Sequence, residues 1–386
     1  DDLGYSDMGC YGGEIQTPNL DKLAQEGIRF NSFYNASRSC PTRASLLTGL
    51  YPHQAGIGRM TFNDNLPGYR GQLTENGVTI AEVLKEAGYQ TGMVGKWHIA
   101  ETPLKSDQRE WLAHHVYHED FADKACYPVN RGFDDFYGII YGVANYFDPF
   151  SLVNGDIPVR NVPKDYYITR ALSDSAVSYV NRYANADKPF FLYLSYTAPH
   201  WPLHALPEDI KKYENTYKVG WDAIREKRYE RMKELGIFSG ADNFLTTRQS
   251  PKKWEDNPTK EWDARAMAVH AAMVDRMDQG IGELIDALEK NNQLDNTLIL
   301  FLSDNGCSSY ASIGPIWANV ANTPFRFWKA KSYEGGINTP LIAFWPKGIN
   351  KGKGGITNQP GHVIDIMATC IDLAKAKYPK KYQGNS

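Results

Sequence analysis

The most informative stretch of this sequence is Ser39-Cys40-Pro41-Thr42-Arg43-Ala44-Ser45-Leu46-Leu47-Thr48-Gly49. Pro41 favours the first turn of a helix, where its missing N–H would have no partner in any case, and Gly49 favours the end of that helix. Ser39 is therefore predicted at a helix N-terminus, where backbone N–H groups and the helix dipole attract an anion. Arg43, one turn further on, can point back toward it. The same residues also fit an ordinary loop-to-helix junction, so the interpretation depends on the rest of the chain.

Apolar runs and helical patterns alternate along the chain. Strands are predicted at 89–94, 189–194, 297–302 and 341–345, and helices at 18–27, 79–88, 168–184 and 261–291. Thr79 and Glu82 form a capping-box pattern, and Gly280 predicts a disturbance in the longest helix. This alternation favours an α/β fold with a mostly parallel central sheet flanked by helices.

Polar segments follow three of these strands. Lys96 and His98 follow the first strand, His200 follows the second, and Asp304-Asn305 follows the third. Taken singly, Asp304-Asn305-Gly306 reads as a turn and Ala198-Pro199-His200 as a loop. Because ligands bind beyond the carboxyl ends of strands in open α/β sheets, we expect these side chains to gather at one edge.

The residue types at these places predict a metal site and an anion site. Asp1, Asp2, Asp304 and Asn305 offer hard oxygen ligands, which suit Ca²⁺ or Mg²⁺ better than zinc. Arg43, Lys96 and Lys329 supply positive charge, and His98 and His200 can move protons near neutral pH. The trio His114, His115 and His118 is interpreted as a solvated loop or helix face.

Composition limits the class of protein. The chain has 386 residues, 42% of them hydrophobic, and a formal net charge of −3, so nothing indicates a nucleic acid or an anionic membrane as partner. No apolar run approaches the roughly 20 residues that span a bilayer. The 5 cysteines show neither a disulfide pattern nor a cysteine-type zinc pattern. The abrupt ends, at Asp1 and Ser386, predict a fragment truncated on both sides.

The stretch from Ser39 to Gly49 resembles the signature of type I sulfatases, which belong to the alkaline phosphatase-like superfamily. In that family the first position is a Cys or Ser that a dedicated enzyme oxidises to formylglycine, followed by any residue, Pro, Ser or Thr, and Arg. Most members carry Cys there, so Ser39 indicates either a serine-type sulfatase matured by a radical enzyme or an engineered Cys→Ser variant. The segment from Lys329 to Gly336 resembles the family's lysine before Glu-Gly-Gly, and this spacing selects Lys329 over Lys331.

The resemblance implies a full set of site residues. Ca²⁺, in preference to Mg²⁺, would be held by Asp1, Asp2, Asp304, Asn305 and residue 39, and the catalytic residues would be Ser39, Arg43, Lys96, His98, His200 and Lys329. Hydrated formylglycine would attack sulfur, His200 would protonate the leaving alcohol, and His98 would take the proton that lets sulfate leave. Arg43 would hold residue 39, while the two lysines and the metal would stabilise the sulfuryl oxygens.

The resemblance also implies the organisation of the chain and its partners. A sulfatase-like catalytic domain would cover 1–350, with an insertion at 204–260, and 351–386 would lead to a C-terminal subdomain. The substrate would be a sulfated small molecule or glycan, a maturase would act on Ser39, and the location would be periplasmic or secreted. We favour an exo-acting carbohydrate sulfatase; candidates for lining its cleft, or for structural roles, are Tyr146, Trp201, His204 and Arg326.

Two other functions stay open at this level. A phosphatase or phosphodiesterase of the same superfamily would use an unmodified Ser or Thr with two zinc ions, which need more Asp and His ligands than can be placed here. A chain with unmodified Ser39 could instead bind sulfated glycans without turnover. The mass of the peptide that contains Ser39 distinguishes a non-catalytic binder of sulfated glycans from an enzyme.

Overall fold

The structure, a computed structural model, describes residues 1–102, 120–238, 245–310 and 313–382, so the histidine trio at 114–118 lies outside the described residues. The chain divides into two compact units. The first unit comprises Asp1–Arg38 and Ala198–Gly361, and the second comprises Ser39–Thr197 and His362–Ser386. Of the helices in the described part, none has the length and apolar character to cross a membrane.

The first unit combines a mixed sheet with helices. Its strands are β1 (Ile28–Tyr34), β7 (Ile299–Leu302), β8 (Asn338–Phe344) and β9 (Ile356–Thr357). Its helices are α1 (Pro18–Glu26), α5 (Pro207–Lys211), α6 (Trp221–Glu234), α7 (Lys260–Lys290), α8 (Gly314–Ala321) and α9 (Glu334–Ile337). Strand β8 lies between β1 and β7 and is antiparallel to both, while β9 is parallel to β1.

The second unit has its own mixed sheet. Its strands are β2 (Gln90–Gly95), β3 (Asp135–Ile139), β4 (Leu152–Asn154), β5 (Ile157–Pro158) and β6 (Phe190–Ser195), and its helices are α2 (Ser39–Thr48), α3 (Ile80–Glu86), α4 (Ile168–Tyr183) and α10 (Asp365–Ala374). The strand order is β5-β4-β3-β2-β6, in which β2 is parallel to β3 and β6 and the other pairs are antiparallel. The sequence boundary between the two units falls within a short strand β10, Gly361–His362.

The α/β class is confirmed, but the strands form two mixed sheets rather than one mostly parallel sheet. The predicted sheet edge is consequently shared by only two of the three strands that lead into polar residues. Strands β2 and β6 are parallel neighbours, so their carboxyl ends lie side by side. Strand β7 belongs to the other sheet, where it pairs with β8.

Local signals place several helices as predicted. Thr79 caps α3 with the reciprocal hydrogen bonds of a capping box to Glu82. Helix α7 runs without interruption through Gly280, so the predicted disturbance is wrong. Its Gly282 packs against Asn19 of α1, where a Cβ would come within 2.7 Å of the amide. Gly282 therefore allows the two helices to pack closely.

Helix α1 depends on a carboxylate from another helix. The backbone N–H groups of Asn19 and Leu20 donate to Asp278 of α7 at 3.1 and 2.8 Å. Burial raises the pKa of Asp278 to about 6, although these donors act in the opposite direction.

The described part of the predicted insertion, 204–260, holds α5, α6 and a 3₁₀ turn but no strand. That insertion and the boundary near 350 stay predictions.

Candidate active site

Ser39 is the first residue of α2, and every residue of that helix is buried. Gly49 ends the helix in the left-handed conformation, with φ +68°, and its N–H donates to the carbonyl of Ser45 at 2.8 Å. The helix predicted to begin at Ser39 and to end at Gly49 is therefore confirmed. Ser39 itself is 3% exposed.

Arg43 connects Ser39 to the ends of two strands in the second unit. Its Nε donates to Ser39 Oγ at 2.9 Å. Its Nη1 donates to the carbonyl of Lys96, after β2, at 2.7 Å and also to Ser195 Oγ, at the end of β6. Ser195 Oγ in turn donates to the Lys96 carbonyl at 2.9 Å. The guanidinium thus fixes the Ser39 side chain relative to the strand ends, and Ser195 is a supporting residue that sequence reasoning did not single out.

Lys96 and His98 extend β2 beyond its last residue. Lys96 is fully buried, and its N–H donates to the carbonyl of Ser195 at 2.8 Å. His98 has φ +56°, and its Nδ1 lies 3.4 Å from Ser39 Oγ. Gly142 lies against this ring, where a Cβ would stand 2.3 Å from Nε2. The second unit therefore brings together four predicted catalytic residues, Ser39, Arg43, Lys96 and His98.

An acidic cluster occupies the first unit. Side-chain atoms of Asp1, Asp2 and His200 that could bind a metal all lie within 4.8 Å of one another. Lys329 Nζ is 2.6 Å from Asp2 Oδ1 and 3.8 Å from Asp1 Oδ1. Lys331 is exposed, so of the two lysines weighed from the sequence it is Lys329 that reaches the carboxylates.

Asn305 joins this cluster from the turn after β7. Its Nδ2 donates to Asp2 Oδ1 at 2.7 Å, and Asp304 precedes it in the same turn. Two buried oxygens, Asp2 Oδ2 and Asn305 Oδ1, accept no hydrogen bond from the residues that the structure describes. Buried oxygens of this kind are costly unless a cation or donor satisfies them. The donor set of carboxylate and amide oxygens, with carboxylates in excess over Lys329, fits a hard divalent cation.

His200 contacts the acidic cluster through one side of its ring. Its Nδ1 lies 2.7 Å from the carbonyl of Trp201, and because a carbonyl only accepts, Nδ1 carries a proton. Its Nε2 is directed at Asp2 Oδ2, 3.6 Å away. Nε2 is therefore the ring nitrogen through which His200 could transfer a proton. The ring also stacks on Trp201, with centroids 5.7 Å apart.

A buried charge network supports the turn that follows Asp2. Asp7 accepts from the Gly4 N–H at 2.9 Å, from Arg228 at 2.8 Å and from His270 at 2.9 Å. Burial by itself raises the pKa of Asp7, but His270 and Arg228 outweigh it and lower the pKa to about 2. Arg228 also donates two hydrogen bonds to the Glu14 carboxylate, from Nε and Nη2. Sequence reasoning missed this network, because Asp7 and His270 are 263 residues apart and no local motif links them.

The four candidates for a substrate cleft have different surroundings. Tyr146 is 1% exposed and packs on Tyr167, which favours the structural role that the sequence left open. Trp201 and His204 are half-buried, and burial lowers the pKa of His204. Arg326 is exposed and lies over two aromatic rings.

The comparisons with known proteins all indicate the same family. Residues 1–376 match the family model described as Sulfatase. The arylsulfatase of Klebsiella aerogenes is 32% identical over 97% of this chain and 85% of that protein. The N-acetylgalactosamine-6-sulfatase of Canis lupus familiaris is 28% identical over 97% of this chain and 60% of that protein. The crystal structure of Ps i-CgsB in complex with k-i-k-neocarrahexaose is 31% identical, covers 98% of this chain and 71% of that one, and has a TM-score of 0.71.

Proposed function

The chain belongs to the sulfatase family and is a sulfuric ester hydrolase, and we propose that it hydrolyses sulfate esters of carbohydrates through a formylglycine made from Ser39 and a bound Ca²⁺ ion. The family generally uses a formylglycine and a divalent metal ion. The observation that carries the proposal is the placement of Ser39, whose hydroxyl sits at a helix start and accepts from Arg43 Nε at 2.9 Å. Ser39 is the single serine that takes part in the proposed formylglycine chemistry.

In the second unit, residue 39 supplies the nucleophile. As formylglycine it would present two hydroxyls after hydration, one to attack sulfur and one to expel sulfate. Arg43 keeps the residue in place, since its guanidinium bonds both Ser39 and the end of β2. His98 lies 3.4 Å from Ser39 Oγ, within reach to accept the proton whose loss expels the sulfate. Lys96 adds a buried positive charge for the sulfuryl oxygens.

In the first unit, Asp1, Asp2, Asp304 and Asn305 would hold the ion. The support is a pair of buried oxygens, Asp2 Oδ2 and Asn305 Oδ1, that accept no hydrogen bond from the part of the chain that the structure describes. When bound, the ion supplies positive charge for the oxygens of the sulfuryl group. Ca²⁺ is chosen over Mg²⁺ because it accepts several protein oxygens in irregular geometry, whereas Mg²⁺ keeps several waters. The further ligand from residue 39 stays a prediction.

Two side chains of the first unit would act on the substrate directly. Lys329, anchored on Asp2 at 2.6 Å, places an ammonium group beside the carboxylates and would bind a sulfuryl oxygen. His200 would protonate the leaving alcohol from Nε2, because its Nδ1 is committed to the Trp201 carbonyl. An alcohol is a poor leaving group, so a general acid matters greatly for sugar sulfates.

The carbohydrate substrate rests on similarity and on composition. The Ps i-CgsB structure is a complex with k-i-k-neocarrahexaose, and another relative is named N-acetylgalactosamine-6-sulfatase. The chain also places aromatic and cationic side chains, among them Trp201 and Arg326, in the first unit. Exo-action is part of the proposal, and a panel of sulfated mono- and oligosaccharides tests it directly.

The deciding experiment compares protein made with and without a serine-type maturase. Modified protein should lose two hydrogens in the peptide that contains Ser39, as a two-electron oxidation requires, and should release sulfate over many turnovers. Unmodified protein should bind sulfated substrate without sustained release. Sustained sulfate release by protein whose residue 39 is unmodified serine by mass spectrometry would overturn the formylglycine mechanism. A serine nucleophile of the phosphatase type would then take first place.

A further inference from the structure

The loop 326–334 packs against Gly306 and Cys307, the residues that directly follow Asp304 and Asn305. The Gly335 N–H donates to the carbonyl of Arg326 at 3.0 Å, which closes the loop at its base. The Gly306 N–H, directly after Asn305, donates to the carbonyl of Gly336 at 3.1 Å. The packing is tight, because a Cβ on Gly306 would stand 1.8 Å from the Gly335 carbonyl. The loop is therefore fixed relative to the acidic cluster.

Lys329 belongs to the same loop, and its contacts tie the loop to the acidic cluster. Its N–H donates to the carbonyl of Cys307 at 3.1 Å, and its ammonium group reaches Asp2 at 2.6 Å. The single acidic residue of the loop, Glu334, is engaged by Asn338 at 2.9 Å and by Tyr34 at 3.4 Å. The remaining charges of the loop are those of Arg326, Lys329 and Lys331, so it presents net positive charge.

Arg326 is held in one orientation by rings rather than by a carboxylate. Its Cζ lies 5.0 Å from the ring centre of Phe327 and 5.5 Å from that of Tyr333, and the two rings are 4.6 Å apart. No carboxylate of the described residues forms an ion pair with it, in contrast to Arg228 and Arg276 of the same unit. The guanidinium is exposed, so its N–H donors are available to a ligand.

We propose that Arg326, supported by Phe327 and Tyr333, binds a second anionic group of the substrate, a sulfate or carboxylate on the glycan beyond the ester that is cleaved. A planar guanidinium matches two oxygens of such a group at once. Tyr333, 48% exposed, offers a ring face to a neighbouring sugar. The substrate class is then a glycan with more than one negative charge. This inference rests on the proposed function, because it takes the acidic cluster as the place of hydrolysis.

The test uses a dextran sulfate oligosaccharide of defined length as a competitor of 4-nitrophenyl sulfate hydrolysis. The variant is Arg326→Gln, and the matched control is Arg231→Gln, which removes one exposed arginine from α6 of the same unit. Arg326→Gln should raise the inhibition constant of the competitor roughly tenfold, the loss expected for one charge-assisted hydrogen bond. Its effect on kcat/KM for 4-nitrophenyl sulfate should be smaller, since that substrate has no second anion. Arg231→Gln should change neither value by more than about twofold.

Equal effects of the two variants on the competitor, or no effect of Arg326→Gln, would overturn the proposal. The same oligosaccharide is also titrated by calorimetry into Ser39→Ala protein with and without each arginine change. That measurement needs no turnover, so a matured chain that fails to hydrolyse 4-nitrophenyl sulfate would count against the proposed function alone. Weaker binding on loss of Arg326, but not of Arg231, would still support the anion subsite.

Discussion

The two units carry reactive groups of opposite character. In the second unit, Ser39 accepts a hydrogen bond from the cation Arg43, whose guanidinium also bonds Lys96 and Ser195 at the ends of β2 and β6. In the first unit, carboxylates outnumber the ammonium group of Lys329, and two buried oxygens accept no hydrogen bond from the described residues. Each group holds one residue in the left-handed backbone region, His98 with φ +56° and Asp2 with φ +65°. Under the proposed function, one group would be completed by a covalent change at residue 39 and the other by a bound cation.

The largest effect should follow from Asp2→Asn. Removing this charge should lower kcat/KM for sulfate esters about a thousandfold, because an ion and Lys329 both depend on the carboxylate. Ca²⁺ should raise the melting temperature of the wild-type chain but not of Asp2→Asn, as measured by scanning calorimetry with EGTA as the reference. Ser39→Ala is the control and should keep most of the Ca²⁺ effect, because it leaves Asp1, Asp2, Asp304 and Asn305 in place. If Asp2→Asn keeps it as well, the ion is not held by this cluster.

Arg43→Lys tests the other side of the comparison. Lysine keeps the charge but cannot bond Ser39, Lys96 and Ser195 with one planar group, so turnover should fall about a hundredfold. The Ca²⁺-dependent gain in melting temperature should remain, because the acidic cluster belongs to the other unit. Loss of that gain in Arg43→Lys would show that the two groups are not separable in the way described.

His200→Ala should separate substrates by their leaving group. Sugar sulfates should slow about a thousandfold and 4-nitrophenyl sulfate only about tenfold, because the basic alkoxide needs a proton while 4-nitrophenolate does not. The measurement is kcat/KM for both substrates at the same pH. His204→Ala, which removes a nearby half-buried histidine, serves as the comparison. Equal losses on the two substrates would remove His200 from the general-acid role.

The smallest effect concerns stability in acid. The pKa of Asp7 is about 2 in the folded chain, below its ordinary value of 3.8, so its contribution is fully present above about pH 4 and is lost as pH falls through 2. Between pH 5 and pH 2 the wild type should lose about 2 kcal/mol more unfolding free energy than Asp7→Asn, measured by urea denaturation. Parallel curves would mean that Asp7 is not the group that senses acid.

The local parts of this structure could be predicted and the long-range parts could not. The capping box at Thr79 and the helix from Ser39 to Gly49 follow from residues a few positions apart. The disturbance predicted at Gly280 is wrong, because a single glycine costs a helix only about 1 kcal/mol and α7, which is buried along much of its length, is continuous there. The antiparallel place of β8 between β1 and β7 depends on pairing with a strand from the opposite end of the chain, since β1 begins at Ile28 and β8 at Asn338.

The candidate site divides in the same way. Residue types and strand ends predicted Asp1, Asp2 and Asn305, the family resemblance selected Lys329, and the structure brings these residues together in the first unit. Their roles stay predictions, as do those of Ser39, Arg43, Lys96 and His98 in the second. The supports, Ser195 and the pair Asp7 and His270, carried no local signal, because each acts by holding a residue that is distant in the chain.

The burial of α2 has a consequence for the order of events during biosynthesis. Ser39 is 3% exposed, and its helix is covered along its whole length. A maturing enzyme has to enclose the side chain that it oxidises, which the folded unit does not permit. Under the proposed maturation, oxidation of Ser39 would have to come before this helix is packed. A chain that folds first would stay inactive, and later exposure to the maturase would not rescue it without unfolding.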